Sequence, residues 1–188
     1  SVSHMGIVVL GLNLAVLGKA GQDALNGAVF QMFAHGIMTA LFFSTVGFIY
    51  DRAHSKTIAD FGGLGSQMPR AVSVFIVAGL CGAGVPGLAS FWAELLVFLA
   101  ALKTYPALGV AIIVGLVLTA IYVIRVFSQA FFGPVNDKWD DLRGLDLKGW
   151  QILPRAILVA VLVYFGFFPS ALLDVIDGTT STVLTAFR

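Results

Sequence analysis

Residues 71–102 read AVSVFIVAGLCGAGVPGLASFWAELLVFLAAL, and this stretch decides the fold. As one continuous helix it would reach roughly 48 Å, whereas the hydrocarbon core of a bilayer measures about 30 Å. The stretch is too short for two full crossings and a turn. Its middle contains Gly82, Gly84, Pro86 and Gly87, a composition that favours one discontinuous helix with an unwound centre. A proline kink, or a tight hairpin between two short helices, is the alternative.

The composition of the whole chain indicates a membrane environment. Of 188 residues, 59% are hydrophobic and only 11% are charged, whereas a soluble domain has about 25% charged residues. Eleven Lys and Arg against ten Asp and Glu give a net charge of +1, which argues against a nucleic-acid partner. The single Cys81 excludes an internal disulfide.

Four further apolar stretches cover residues 2–18, 27–50, 107–132 and 154–176. Each reaches the length that a membrane helix needs, although the first does so only barely. None alternates strictly, which argues against a barrel. We therefore predict an all-α membrane protein with about five transmembrane helices, one of them broken near residues 82–87. The first stretch starts at Ser1, with no initiator Met and no signal-peptide features, as if a helix were entered partway. We therefore expect residues 1–188 to form a single transmembrane domain that is the carboxy-terminal part of a longer chain.

The distribution of basic residues tests the broken helix. If residues 71–102 cross once, seven basic residues fall on one side and three on the other; two crossings divide them five and five. The positive-inside rule thus favours one crossing, with loops 52–70 and 137–155 in the cytoplasm and the C-terminus outside. The larger group contains Arg52, Lys56, Arg70, Lys138, Arg143, Lys148 and Arg155, and the smaller contains Lys19, Lys103 and Arg188.

Glu94 is the first candidate for chemistry, as the only charged residue between Arg70 and Lys103. It follows the break by two helical turns, which places it near the middle of the membrane. A carboxylate there is costly, so it usually faces the interior of a helix bundle or water. We predict that Glu94 takes up and releases protons; the alternative is a structural partner of a buried Arg or Lys.

Two histidines fall inside apolar stretches. His35 lies in the uncharged run of residues 27–50, and His4 lies in the first stretch. Imidazole passes protons between its two nitrogens near neutral pH, and Thr39, one turn after His35, is placed to bind a water on the same face. A helix–helix hydrogen bond is the rival role for each histidine. Two imidazoles and one carboxylate on three neighbouring spans predict a proton relay.

Other polar residues and short motifs do not add to the predicted proton path. Arg125 could pair with an intramembrane carboxylate, but we expect it to snorkel to the cytoplasmic face. His54 is expected in a loop or at the interface. The segment Gly62-Gly63-Leu64-Gly65 lacks the Lys-Ser/Thr of a phosphate loop. No metal-ligand spacing and no nucleotide, flavin or iron–sulfur motif occurs, so we predict no cofactor and no metal in this chain.

Several short motifs, taken in order, resemble a known family. They are SVSHMG at residues 1–6, QMFAHG at 31–36, YDRAHS at 50–55, GVPG at 84–87 with FWAEL at 91–95, FFG at 131–133 and FGFFPSALLD at 165–174. Together they resemble the subunit M (chain 4) family of NADH–quinone oxidoreductase, respiratory complex I. The resemblance covers essentially the whole chain.

The resemblance implies a fold and a function. Such subunits have about fourteen membrane helices, of which this chain would supply the last five. They resemble Mrp-type cation/proton antiporters and are thought to translocate protons when quinone is reduced elsewhere in the complex. His4 and His35 match the family's central histidines, and Glu94 matches its carboxylate on a discontinuous helix. Neighbouring antiporter-like subunits are the implied partners, and a bacterial inner membrane is the implied location.

Three other interpretations stay open. The D subunit of the photosynthetic, ferredoxin-linked complex of thylakoid membranes shares these motifs. An Mrp-type antiporter subunit would exchange sodium for protons without quinone. A purely structural helix bundle would hold Glu94 and His35 against protein with no water beside them.

Overall fold

The computed structural model describes residues 1–17, 20–135, 139, 142 and 144–186. Across these residues the fold is all-helical, as predicted, without a strand. A π-helical turn, Phe127–Phe131, follows the sixth helix, and short 3-10 turns occupy Ile58–Asp60 and Gly149–Gln151. The α-helices are α1 (Val2–Leu17), α2 (Gly21–Ala53), α3 (Leu64–Gln67), α4 (Pro69–Gly82), α5 (Ala89–Thr104), α6 (Pro106–Val126), α7 (Ile152–Phe167) and α8 (Ser170–Ala186).

Helix α2 is the axis on which α1, α4, α5, α7 and α8 pack, whereas α6 packs on α5 and α4. The 33 residues of α2 correspond to a length of about 50 Å. Helix α1 runs antiparallel beside it, and the two come close because small residues face each other. A Cβ added at Gly11 would lie 2.9 Å from the carbonyl oxygen of Ala24 and 3.0 Å from the Cβ of Ala28.

Helices α4 and α5 follow one another along the same side of α2, in the opposite direction. The start of α4 packs near the C-terminal end of α2, its last turn packs at the middle, and α5 continues towards the N-terminal end of α2. This order rules out a hairpin and confirms the discontinuous helix. The packed groups are Phe48 and Ile49 with Ala71 and Phe75, then Met38 and Leu41 with Ala78 and Cys81, then Ala24 and Leu25 with Val97 and Ala101.

The two predicted cytoplasmic loops meet at one end of the bundle. Arg52 Nε donates to the Leu145 carbonyl at 2.8 Å, and Arg70 donates to the Leu147 carbonyl at 3.0 Å. We call this the basic end. An ion pair of 3.1 Å joins Lys103 to Asp23 at the opposite end. The arrangement agrees with a single crossing for residues 71–102. Of the residues used in the charge argument, Lys19, Lys138, Arg143 and Arg188 lie outside the described residues.

The chain unwinds between α4 and α5 because two glycines adopt left-handed conformations. Gly84 has φ +68° and Gly87 has φ +92°, values that a residue with a Cβ rarely adopts. Ser90 Oγ donates to the Cys81 carbonyl across the break. A Cβ at Gly166 of α7 would collide with the Gly87 backbone, so the unwound segment lies directly against α7.

The stretch 154–176, predicted as one span, contains two helices. Helix α7 ends at Phe167 and α8 starts at Ser170. Pro169 has no N–H to donate and restricts the residue before it. Phe168 accordingly leaves the helical region, with φ −123° and ψ 63°. The apolar composition concealed this interruption.

By length and composition, Gly21–Ala53, Pro106–Phe131 and Gly149–Phe167 are able to cross a membrane. Val2–Leu17 and Pro69–Gly82 are apolar but shorter. The outer faces of α6 and α7 expose large apolar side chains, which suits contact with lipid or with other membrane helices. Examples are Val117, Leu118, Ile121, Ile157 and Phe167. The protein is an integral membrane protein.

Candidate functional site

Glu94 lies in the second turn of α5 and is 3% exposed. Side chains of a helix lean towards its N-terminus, which here is the unwound segment. The Glu94 carboxyl group occupies the space that a Cβ at Gly84 would need. Gly84 is therefore required both by its positive φ and by the carboxyl group packed on it.

His4 of α1 connects the break to Glu94. Its Nε2 lies 3.0 Å from the Gly82 carbonyl oxygen and 3.6 Å from Glu94 Oε1. Because a carbonyl only accepts hydrogen bonds, the contact with Gly82 assigns the proton to Nε2. One N–H therefore faces two acceptors, one from each side of the break.

His35 of α2 extends this arrangement. Its ring centroid lies 5.6 Å from that of His4, and its Nε2 lies 3.2 Å from the Ser1 hydroxyl oxygen. The structure thus brings His4, His35 and Glu94 together from α1, α2 and α5. Thr39 donates its hydroxyl to the His35 carbonyl at 2.8 Å, which leaves its oxygen only as an acceptor for a water.

Two cavities meet at His4. The small cavity, about 60 Å³, is lined by His4, Glu94, Ser3 and Thr119, with Ile7, Ile112, Gly115 and Leu116. The large cavity, about 320 Å³, lies nearer the basic end and is lined by Ser1, His4, Thr39 and Tyr122 among mainly apolar residues. His4 is the residue that these two linings share. Both volumes accommodate water, and the polar groups in the walls offer it partners.

Two residues of this site and Gln31 of α2 have buried polar atoms without a hydrogen-bond partner in the described part of the chain. They are His4 Nδ1, Glu94 Oε1 and both amide atoms of Gln31. Leaving a buried polar atom unpaired costs about 1–3 kcal/mol. Gln31 was not among the candidates predicted from the sequence. Its position one turn before His35, in an uncharged run, was the signal that could have identified it.

Arg125 and His54 lie apart from this site. Arg125 is exposed in the last turn of α6, and the basic side chain within 4 Å of the Glu94 carboxylate, among the described residues, is His4. Arg125 is therefore not the charge partner of Glu94. His54 is exposed and ends α2 with φ +49°, in agreement with the expected loop position. Within the described ranges, no group of three or more His, Cys, Asp or Glu side chains is arranged to hold a metal ion.

A sequence model of the NADH:quinone oxidoreductase/Mrp antiporter transmembrane family matches residues 1–120. The chain belongs to this family. The matched region contains His4, His35 and Glu94, so the whole site lies within the part of the chain that the family model matches.

Individual quinone oxidoreductase subunits are also similar to this chain in sequence. NADH-quinone oxidoreductase subunit M of Rickettsia conorii is 32% identical over 187 residues, covering 100% of this chain and 37% of its own length. NAD(P)H-quinone oxidoreductase chain 4 2 of a Synechococcus species is 32% identical over 196 residues, covering 100% of this chain and 36% of its own length. This chain therefore spans little more than a third of these relatives.

Respiratory complex I from Thermus thermophilus with bound NADH contains a chain of the same fold. The TM-score is 0.81 at 23% identity, covering 96% of this chain and 37% of that chain. The likeness supports the overall helical arrangement described above.

Proposed function

We propose that this chain is the carboxy-terminal part of a subunit M (chain 4) of NADH–quinone oxidoreductase and that it translocates protons. One observation carries the proposal. A buried carboxylate, Glu94, lies against an unwound membrane helix, and His4 separates two cavities beside it. Intramembrane ionisable groups at discontinuous helices are typical of ion pathways.

The two nitrogens of His4 make the transfer possible. Among the described residues Nδ1 has no hydrogen-bond partner and is available to accept a proton, while Nε2–H faces Glu94. When Nδ1 binds a proton and Nε2 releases one, His4 ends neutral and Glu94 gains a proton. The separation of 3.6 Å exceeds a hydrogen-bond length, so the transfer requires a small side-chain movement or an intervening water.

The order of the two cavities along the helices supports an outward direction for the transfer. Along α6 the large cavity reaches Tyr122 and Val123, near the basic end, whereas the small cavity lies at Ile112–Thr119, towards the opposite end. With the basic end in the cytoplasm, protons move from the large cavity through His35 and His4 to Glu94. Glu94 then releases them outward.

We assign no redox cofactor to this chain, because its function needs only proton-carrying groups. Quinone reduction elsewhere in an NADH dehydrogenase complex would supply the energy. It would bias the proton affinity of Glu94 by stabilising one of two states of the site more than the other. The partners proposed are the neighbouring antiporter-like subunits, and the proposed location is the bacterial inner membrane, with the thylakoid membrane as the alternative.

Two related functions use the same geometry. The family description includes Mrp antiporters, and ion exchange in vesicles without an electron donor would identify that function. The Synechococcus NAD(P)H-quinone oxidoreductase chain 4 is as identical to this chain as the Rickettsia subunit, so the ferredoxin-linked photosynthetic complex is kept as the second alternative. Co-purification with ferredoxin-binding partners would identify that assembly.

Glu94→Gln in the full-length subunit within its assembled complex tests the proposal. We expect proton translocation to fall about tenfold or more, because the amide keeps the shape but cannot bind and release a proton. The measurement is proton uptake into vesicles per quinone reduced. Asp23→Asn, at the exposed ion pair with Lys103, is the control and should leave translocation unchanged. Undiminished translocation in Glu94→Gln would remove Glu94 from the path.

A further inference from the structure

Thr119 of α6 places a buried hydroxyl group in the wall of the small cavity. The residue is 4% exposed, and it lines this cavity together with His4 and Glu94. Helix α6 packs on α5 and α4, so it brings a polar group to the space beside Glu94 from a side that α1 and α2 do not cover. The proton path described above gives Thr119 no role.

The hydrogen bond of Thr119 determines what its hydroxyl group offers to the cavity. The hydroxyl donates to the Gly115 carbonyl oxygen, one turn earlier, at 3.0 Å. Gly115 also lines the small cavity, and a Cβ at Gly115 would meet nothing within 4 Å. The hydroxyl group therefore lies between two residues of the cavity wall. Its proton is engaged, and its oxygen is able to accept a hydrogen bond.

The small cavity has room for water next to Glu94. Its volume is about 60 Å³, whereas one water requires roughly 10–15 Å³. The polar groups in its wall belong to Ser3, His4, Glu94 and Thr119. Ser3 is exposed and the other three are buried. Because a buried water makes about three hydrogen bonds, these three buried side chains determine where a water beside Glu94 is held.

We propose that Thr119 is a positioning residue of the release step, whose hydroxyl oxygen orients a water molecule in the small cavity to take the proton from Glu94. This inference rests on the proposed function. The protonated carboxyl group of Glu94 donates its O–H to the water oxygen, and one O–H of that water donates to Thr119 Oγ1. As the water takes the proton of Glu94, it passes the proton of its other O–H to further water. Thr119 keeps its own proton, which the Gly115 carbonyl holds.

Thr119→Val in the full-length subunit of the assembled complex tests this role, with Thr45→Val as the matched control. Valine keeps the branched shape and removes the hydroxyl group. Thr45 of α2 is fully buried and donates to the Leu41 carbonyl one turn earlier at 2.9 Å, but it lines neither cavity. We expect Thr119→Val to slow coupled turnover about tenfold, because a misplaced acceptor takes up protons poorly. Thr45→Val should leave turnover unchanged.

Two further measurements separate positioning from packing. The ratio of turnover in H₂O to that in D₂O should rise in Thr119→Val, since proton release becomes the slow step, and should keep its natural value in Thr45→Val. Thr119→Ser retains the hydroxyl group and should recover most of the turnover. Equal turnover and equal isotope ratios in Thr119→Val and Thr45→Val would overturn the proposal, because a packing role affects both alike.

Gly115→Ala is the second variant and decides the matter if Thr119→Val fails to assemble. The added Cβ meets nothing within 4 Å, so the helix accepts it, but it takes up space in the small cavity beside the hydroxyl group. We expect slower turnover and a higher isotope ratio, and natural values of both are the contrary result. Loss of pumping in Glu94→Gln with full activity in Thr119→Val rejects only the role of Thr119, whereas unchanged pumping in both rejects the proposed function as well.

Discussion

At the scale of single residues, His4 is the most constrained group of the site. It belongs to the walls of both cavities, and its Nε2 is within reach of the Gly82 carbonyl and the Glu94 carboxylate. A side chain with one donor would satisfy Gly82 equally well. Only imidazole offers a second nitrogen that faces away and exchanges a proton near neutral pH.

His4→Gln separates the hydrogen bond to the Gly82 carbonyl from the relay of protons. The glutamine amide can still donate to the Gly82 carbonyl, so we expect the subunit to assemble with nearly unchanged thermal stability. Proton translocation should fall about tenfold or more, since an amide does not relay protons. Proton uptake by vesicles and thermal unfolding of the purified complex are the two measurements.

His54→Gln is the control for this substitution. His54 is exposed at the end of α2, so its replacement should leave translocation unchanged. If His4→Gln translocates protons as fast as His54→Gln, then His4 holds helices together and does not carry protons.

At the scale of elements, the unwound segment between α4 and α5 determines where Glu94 lies. Gly84→Ala would introduce a Cβ at φ +68°, at a cost of roughly 1–2 kcal/mol. The same Cβ would collide with the Glu94 carboxyl group. We expect a lower unfolding temperature of the complex and reduced proton translocation, because the carboxyl group must move away from its position near His4.

Gly47→Ala is the matched substitution in α2. A Cβ at Gly47 meets nothing within 4 Å, and alanine favours a helix over glycine by up to about 1 kcal/mol. The stability of the Gly47→Ala variant should be equal to or above that of the natural chain. Unchanged stability and translocation in Gly84→Ala would show that the unwound segment tolerates a side chain and does not position Glu94.

At the scale of the whole molecule, charged side chains make polar contacts at both ends of the helix bundle. Arg52 and Arg70 bind the backbone of residues 145–147 at the basic end. At the opposite end, Asp177 of α8 accepts hydrogen bonds of 2.8 Å from Gln22 and from Asn26 of α2. This separation supports the cytoplasmic placement of the basic end.

Thiol labelling in oriented vesicles checks this topology. Cysteine replacing the exposed Lys56 at the basic end should react only from the cytoplasmic side, and cysteine replacing the exposed Ser181 of α8 only from the opposite side. The native Cys81 is buried and should stay unlabelled. Reaction of both positions from one side would contradict a single crossing by α4 and α5.

The sequence by itself determined the all-helical membrane fold, the broken helix and the candidate residues His4, His35 and Glu94. These predictions rest on local signals with large energetic consequences. The signals are the length of the apolar stretches, the cluster of glycines with a proline, and ionisable residues isolated within apolar stretches. Pro169, between α7 and α8, is an equally local signal for a helix break, but the prediction followed the uniformly apolar composition of residues 154–176 and missed it. Only the tertiary structure decided that His4 stands between Gly82 and Glu94 and that two cavities meet there. These properties depend on the rotation and register of α1, α2 and α5 against one another, which arise from packing between residues far apart in the chain.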